Sequence, residues 1–129
     1  MNSKVINNTR SNLSSLFGGF VEVATKKKLF EGSLNILNKK TLVSLNDDLY
    51  EYDLIFFIIH EFTTDGSVIT FNCLSDTIKG FSSNGIAFSF SAFAAFAVQH
   101  SDEKNKVYLT FSNSTGGNAV LREIIGIKF

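Results

Sequence analysis

From Phe20 onward the chain alternates apolar and polar residues with a period of two, broken by short polar clusters. That period is the signature of half-buried strands. Phe20 to Thr25 is β-prone, and Lys26-Lys27-Lys28 reads as a solvated turn or edge. Leu29 to Leu37 alternates in its second half, and Asn38-Lys39-Lys40 turns the chain into Thr41-Leu42-Val43-Ser44-Leu45. After Asn46-Asp47-Asp48, Tyr50 and Tyr52 alternate with Glu51 and Asp53. Leu54-Ile55-Phe56-Phe57-Ile58-Ile59 is continuously apolar and short. Its β-branched and aromatic content makes it a strand covered on both faces rather than a buried helix. Asp65-Gly66 is a hairpin signal leading into Ser67 to Asn72. Lys106 to Phe111 is a further strand and a hairpin partner, Ser114 to Asn118 a turn, and Ala119 to Phe129 a strand running to the last residue. A strand that apolar at a chain terminus needs a sheet to pair and cover it.

Residues 80–101 contain no Lys, Arg, Asp or Glu. As one strand, Ile86 to Val98 would place Ile86, Phe88, Phe90, Ala92, Ala94, Phe96 and Val98 on a core-facing side. Ala87, Ser89, Ser91, Phe93, Ala95 and Ala97 would form a small-residue side suited to another sheet or subunit. A single strand with a bulge near Ala94 is the reading favoured by the β-like flanks. The alanine content also suits a helix. The run is too short and too polar for a membrane span, which needs about 20 predominantly apolar residues.

Roughly eight short strands separated by turn signals predict an all-β, antiparallel β-sandwich, jelly-roll-like, over residues 20–129. Residues 1–19 are polar, rich in Asn and Ser, and form an N-terminal arm or a short helix through Leu13, Leu16 and Phe17, ended by Gly18-Gly19. The length of 129 residues fits one domain. With no Pro in the chain, the turns depend on Gly, Asn, Asp and Ser. Fourteen Phe give far more bulky apolar surface than a disordered chain carries.

Charge adds little. Twelve basic and 12 acidic residues cancel, so nothing directs the chain to nucleic acid or to an anionic membrane. The one basic-aromatic grouping, Lys26-Lys27-Lys28 with Phe30, is too small for a single-strand binding groove. Cys73 is alone, which rules out an intrachain disulfide, fits a reducing cytoplasm as the place of synthesis, and reads as a small buried hydrophobe. No signal peptide is evident, because the stretch after Lys4 is polar.

Catalytic patterns are missing. His60 and His100 each end a strand and stand apart from any metal-ligand spacing. Asn46-Asp47-Asp48 lacks the glycine and the closing glutamate of a calcium loop. Asp47, Asp48, Glu51 and Asp53 would make a glycosidase-type acid pair only if two of them converged in a cleft. Carboxylates in a short turn more often bond nearby backbone amides. Neither Gly18-Gly19 nor Gly116-Gly117 has a phosphate-loop pattern, and no serine sits in a nucleophile elbow. The expectation is a non-enzyme with no cofactor, no metal and no catalytic residues.

Three segments, in order, resemble the C-terminal domains of bacteriophage tail-fibre and receptor-binding proteins. They are Lys28-Leu29-Phe30-Glu31-Gly32-Ser33, then Thr41-Leu42 onward into Leu49-Tyr50-Glu51-Tyr52-Asp53-Leu54-Ile55, then the closing Leu121-Arg122-Glu123-Ile124-Ile125-Gly126-Ile127-Lys128-Phe129. Phe30 stands where that family commonly has Trp, and no fibre shaft or heptad repeat precedes the domain. The resemblance implies a homotrimeric sandwich at a fibre tip or on a capsid head fibre, located on the virion, contacting other tail or capsid proteins and attaching to host-surface carbohydrate. The alternative is a structural adaptor or decoration protein anchored by residues 1–19. A trimer would also cover the surplus apolar surface of a Phe-rich chain, with Gly126 permitting close backbone approach or a bulge. Ligand-binding residues are not fixed by the sequence. The candidate loops are Asn46 to Asp48, Ser82 to Gly85 and Asn113 to Asn118.

Overall fold

The structure is a computed structural model that describes residues 25–61, 68–80, 85–89, 94–114 and 117–129. Eight strands run β1 (Thr25–Asn35), β2 (Thr41–Ser44), β3 (Leu54–Glu61), β4 (Val68–Leu74), β5 (Ile86–Ser89), β6 (Ala94–His100), β7 (Lys106–Asn113) and β8 (Ala119–Lys128). They form two four-stranded sheets, β1-β8-β3-β4 and β2-β7-β6-β5, paired antiparallel throughout. Alternation decides which residues meet between the layers. Ile55, Phe57 and Ile59 of β3 are fully buried, as are Phe96 and Val98 of β6 and Val107, Leu109 and Phe111 of β7. A row of rings joins the layers: Phe96 lies 5.2 Å from Phe57 and 4.7 Å from Phe71, and Phe71 lies 5.5 Å from Phe88.

The chain changes sheet at Ile36, whose N–H bonds to Ala119 in the first sheet while its carbonyl accepts from Phe111 in the second. The expected Asn38 turn follows. Asn38 takes a left-handed φ of 52°, a conformation asparagine tolerates. Its side chain bonds Asn113 in both directions, at 3.1 and 2.8 Å. The terminal strand is indeed tied down, lying inside its sheet between β1 and β3. The apolar run Leu54 to Ile59 is a strand as expected, fully buried on one face and partly buried on the other.

Several expectations are corrected. Ile86 to Val98 is two strands, not one: Ile86 pairs with Val98 and Ser89 with Ala95, so β5 and β6 form a hairpin. The alternation is the same either way, since cross-strand partners share parity and the even-numbered residues face the core in both arms. Of the two readings of Lys26-Lys27-Lys28, turn or edge, the edge is the one found: the three lie in the edge strand β1, opposite Ile127, Gly126 and Ile125. All three lysines are exposed, which an edge strand accepts without loss. Tyr50 and Tyr52 do not alternate in a strand. Leu49–Glu51 is a 3-10 turn capped by Asp48, whose carboxylate accepts from the Tyr50 N–H at 2.8 Å. A short helix, α1 (Ser75–Gly80), follows β4 and buries Ile78. Residues 1–24, including the expected arm and most of the Phe20 to Thr25 segment, lie outside the described residues, as do the Asp65-Gly66 turn and residues 90–93.

Candidate functional site

The acidic turn has the bland role. Asp47 accepts from its neighbour Asp48 N–H at 2.8 Å, from the Tyr52 hydroxyl at 2.9 Å and from Lys27 at 3.1 Å. These donors, the backbone N–H first, hold its carboxyl below the ordinary value. Burial, and then its hydrogen bond to Asp47, pushes the Tyr52 hydroxyl up. Asp48 caps the 3-10 turn, and Asp53 accepts from the Phe129 N–H at 2.8 Å. Asp47, Asp48 and Asp53 are each committed to a different part of the scaffold, and Glu51 is exposed.

A polar cleft of about 270 Å³ is lined by Glu31, Gly32 and Ser33 of β1 and Arg122 and Glu123 of β8. Its origin is a register shift in β1 between Glu31 and Leu34, which sets Gly32-Ser33 out of step with β8. Gly32 lies over the Phe30 ring: a Cβ there would sit 3.2 Å from the ring tip. Arg122 donates to the Ser33 hydroxyl at 3.0 Å. Lys28 bridges Glu31 at 3.1 Å and Glu123 at 3.7 Å, and these partners, Glu31 first, raise its pKa. The pairs are exposed and contribute little to stability. What they supply is a rim of alternating donors and acceptors able to hydrogen-bond a polyhydroxylated molecule. None of the expected ligand loops builds this cleft. The sequence signal for it was the Gly32-Ser33 break inside a strand pattern.

Those loops do not meet at one end of the sandwich. Asn46 follows β2 beside Asn105, and Gly85 sits against Val98 and Gln99, so both lie at the end where β6 leaves and β7 enters. Asn113 and Asn118 lie at the opposite end. Residues 81–84 and 115–116 are outside the described residues. The histidines are also separated: His60 lies in the first sheet between Val120 and Val68, and His100 in the second. Among the described residues no cluster of metal-ligating side chains occurs. Cys73 is partly buried, and burial pushes its thiol up to about 11, which leaves it a poor nucleophile.

The outer face of the β1-β8-β3-β4 sheet carries a row of apolar side chains. Opposite the buried residues of β3 and β8 stand Leu54, Phe56, Ile58, Val120, Ile125 and Ile127. The register sets Leu54 beside Ile127 and Phe56 beside Ile125. Lys26 and Lys28 flank them on β1, and the exposed Leu74 and Val68 continue them onto β4. The β3 and β8 members of this face are partly buried, and Glu123, His60, Thr70 and Asn72 stand among them. No helix among the described residues is long and apolar enough to cross a membrane.

No protein-family model matches the chain, and no curated protein matches it.

Proposed function

We propose that the chain is a non-enzymatic bacteriophage virion protein, a tail-fibre tip, receptor-binding or head-fibre domain, that works as a homotrimer attaching the virion to host-surface carbohydrate. The observation that carries this reading is the apolar outer face of the β1-β8-β3-β4 sheet, which calls for neighbouring chains. The order of the three family-like segments supplies the virion setting. The nesting of β1 with β8 and of β2 with β7 supports a jelly-roll-like sandwich, a common virion architecture. Asp47, Asp48 and Asp53 spend their carboxylates on scaffold contacts, which supports a non-enzyme. The Arg122 cleft, with alternating donors and acceptors, is the place on the described surface best suited to sugar hydroxyls.

The second reading is an adaptor or decoration protein that contacts only other virion chains. The division of the candidate loops between opposite ends favours it, because no single tip gathers them.

A glycan array probed with the labelled full chain separates the two. Selective binding to one carbohydrate class, weakened at least about tenfold by Arg122→Ala, is expected; a lost charged hydrogen bond of about 1.5–3 kcal/mol has that effect. Binding to no glycan, together with incorporation into virions, contradicts attachment and leaves the adaptor.

A further inference from the structure

The two sheets have four edges among the described residues: β1 and β4 in one, β2 and β5 in the other. Natural edges are blunted by charge, bulges or shortness, because an unpaired row of N–H and C=O groups is a template for another strand. β1 carries three lysines, a glutamate and two register shifts. β2 and β5 are four residues each. β4, Val-Ile-Thr-Phe-Asn-Cys-Leu, has none of these protections. It spans seven residues in unbroken register with β3, and contains no charge, Pro or Gly. Its two ends hold exposed apolar side chains, Val68 at 54% and Leu74 at 56%.

The strand is also self-complementary. Its outward residues run Val68, Thr70, Asn72, Leu74. In an antiparallel pair of two β4 strands centred on Phe71, Val68 faces Leu74 of the second copy, Thr70 faces Asn72, and the same contacts repeat by symmetry. Apolar meets apolar and polar meets polar, as an isologous two-fold contact requires. β5 lies behind β4, with Phe88 against Phe71, and neither strand carries a charge.

We infer that β4 is a docking edge for a second copy of this chain, joining two β1-β8-β3-β4 sheets into one eight-stranded sheet through antiparallel β4–β4 pairing centred on Phe71. The contact uses backbone hydrogen bonds at the edge and leaves the outer face free. It therefore does not depend on the virion reading: it pairs single chains, and it doubles any closed assembly that the outer face builds.

The test is a disulfide that only this register allows. Opposed residues of an antiparallel pair have Cα atoms about 4.5–5.5 Å apart, within the roughly 4.4–6.8 Å that a disulfide spans. Thr70→Cys and Asn72→Cys are made separately in a Cys73→Ala background. Both positions are exposed, so the fold tolerates them. Under mild oxidation an equimolar mixture of the two full-length variants should give a covalent two-chain species as its main product, while each variant alone stays largely single. Adding Val68→Lys to both, a charge placed opposite Leu74 of the second copy, should remove that species. No linked product in the mixture overturns the inference, and so does equal linking in each variant alone. If the mixture fails to link while light scattering still finds several chains per particle, the β4 contact is overturned and an assembly through the outer face still stands.

Discussion

Phe96→Ala should lower the stability of the fold by about 3–5 kcal/mol, a large share of the roughly 5–15 kcal/mol that holds a domain together. Phe96 is fully buried on β6, in the middle of its sheet, and its ring contacts rings from three other strands. It lies 5.2 Å from Phe57 on β3, 4.7 Å from Phe71 on β4 and 6.0 Å from Phe88 on β5. Removing the ring leaves a cavity walled by both layers, and strands fixed in two sheets cannot close it. Phe88→Ala removes a ring from an edge strand that is only partly buried, and the expected loss is smaller. Urea unfolding of both variants checks the order. A Phe96→Ala loss under about 1 kcal/mol would show that the inter-sheet ring row is not the keystone of the core.

Gly126→Ala should destabilise by about 1–3 kcal/mol, the usual cost of forcing an extra carbon into a filled site. On conformation alone the change would help, since glycine in a strand is weaker than alanine by roughly 0.5–1 kcal/mol. Gly126 is not among the glycines with positive φ, so it is space that decides. A Cβ at Gly126 would lie 2.6 Å from Cγ and 2.9 Å from Cδ1 of Tyr52, and 3.1 Å from the Leu29 side chain. The Tyr52 ring cannot swing aside: its hydroxyl is held by Asp47 at 2.9 Å, and its carbonyl accepts from the Ser75 hydroxyl. Strand β8 cannot retreat either, because Gly126 is paired to Lys27 on one side and Ile55 on the other. A double-mutant cycle isolates the contact. In a Tyr52→Ala background the same Gly126→Ala change should be neutral or stabilising, a coupling of about 1–3 kcal/mol. An unchanged cost in that background would contradict the close approach.

The close approach at Gly126 shows what a sequence can disclose. An isolated glycine in a strongly apolar strand announces that another group comes near, but it does not say that the group is Tyr52, which ends the 3-10 turn just before β3. Strand identity and core faces were legible for the same reason that the period-two pattern exists, namely burial of alternate residues. Phe96 and Val98 could be placed on a core face from the alternation alone, and Leu54 to Ile59 as a buried strand. The reversal between Ser89 and Ala94 was not legible, because an odd number of residues, five, separates the partners Ser89 and Ala95, which keeps the core residues of both arms on even positions and leaves the alternation intact. Lys26-Lys27-Lys28 read equally as a turn or an edge, because charge is usually a loop signal and only sheet order shows that β1 is an edge. On an edge strand paired from one side only, charge is tolerated and even protective. The 3-10 turn depends on a single Asp48 cap, and the Arg122 cleft on a register shift between strands some 90 residues apart in the chain, here Ser33 to Arg122 with |i−j| of 89. Neither is a local pattern. The unprotected character of β4, by contrast, is written in its own seven residues, but only sheet order reveals that the strand is an edge.

The account rests on the claim that other copies of the chain cover its unpartnered apolar surfaces. The most direct test is the mass of the purified full chain by light scattering across a wide concentration range. A particle of three chains of 14.3 kDa, or twice that number, held constant on dilution, is the predicted result. A single-chain mass at every concentration would contradict it.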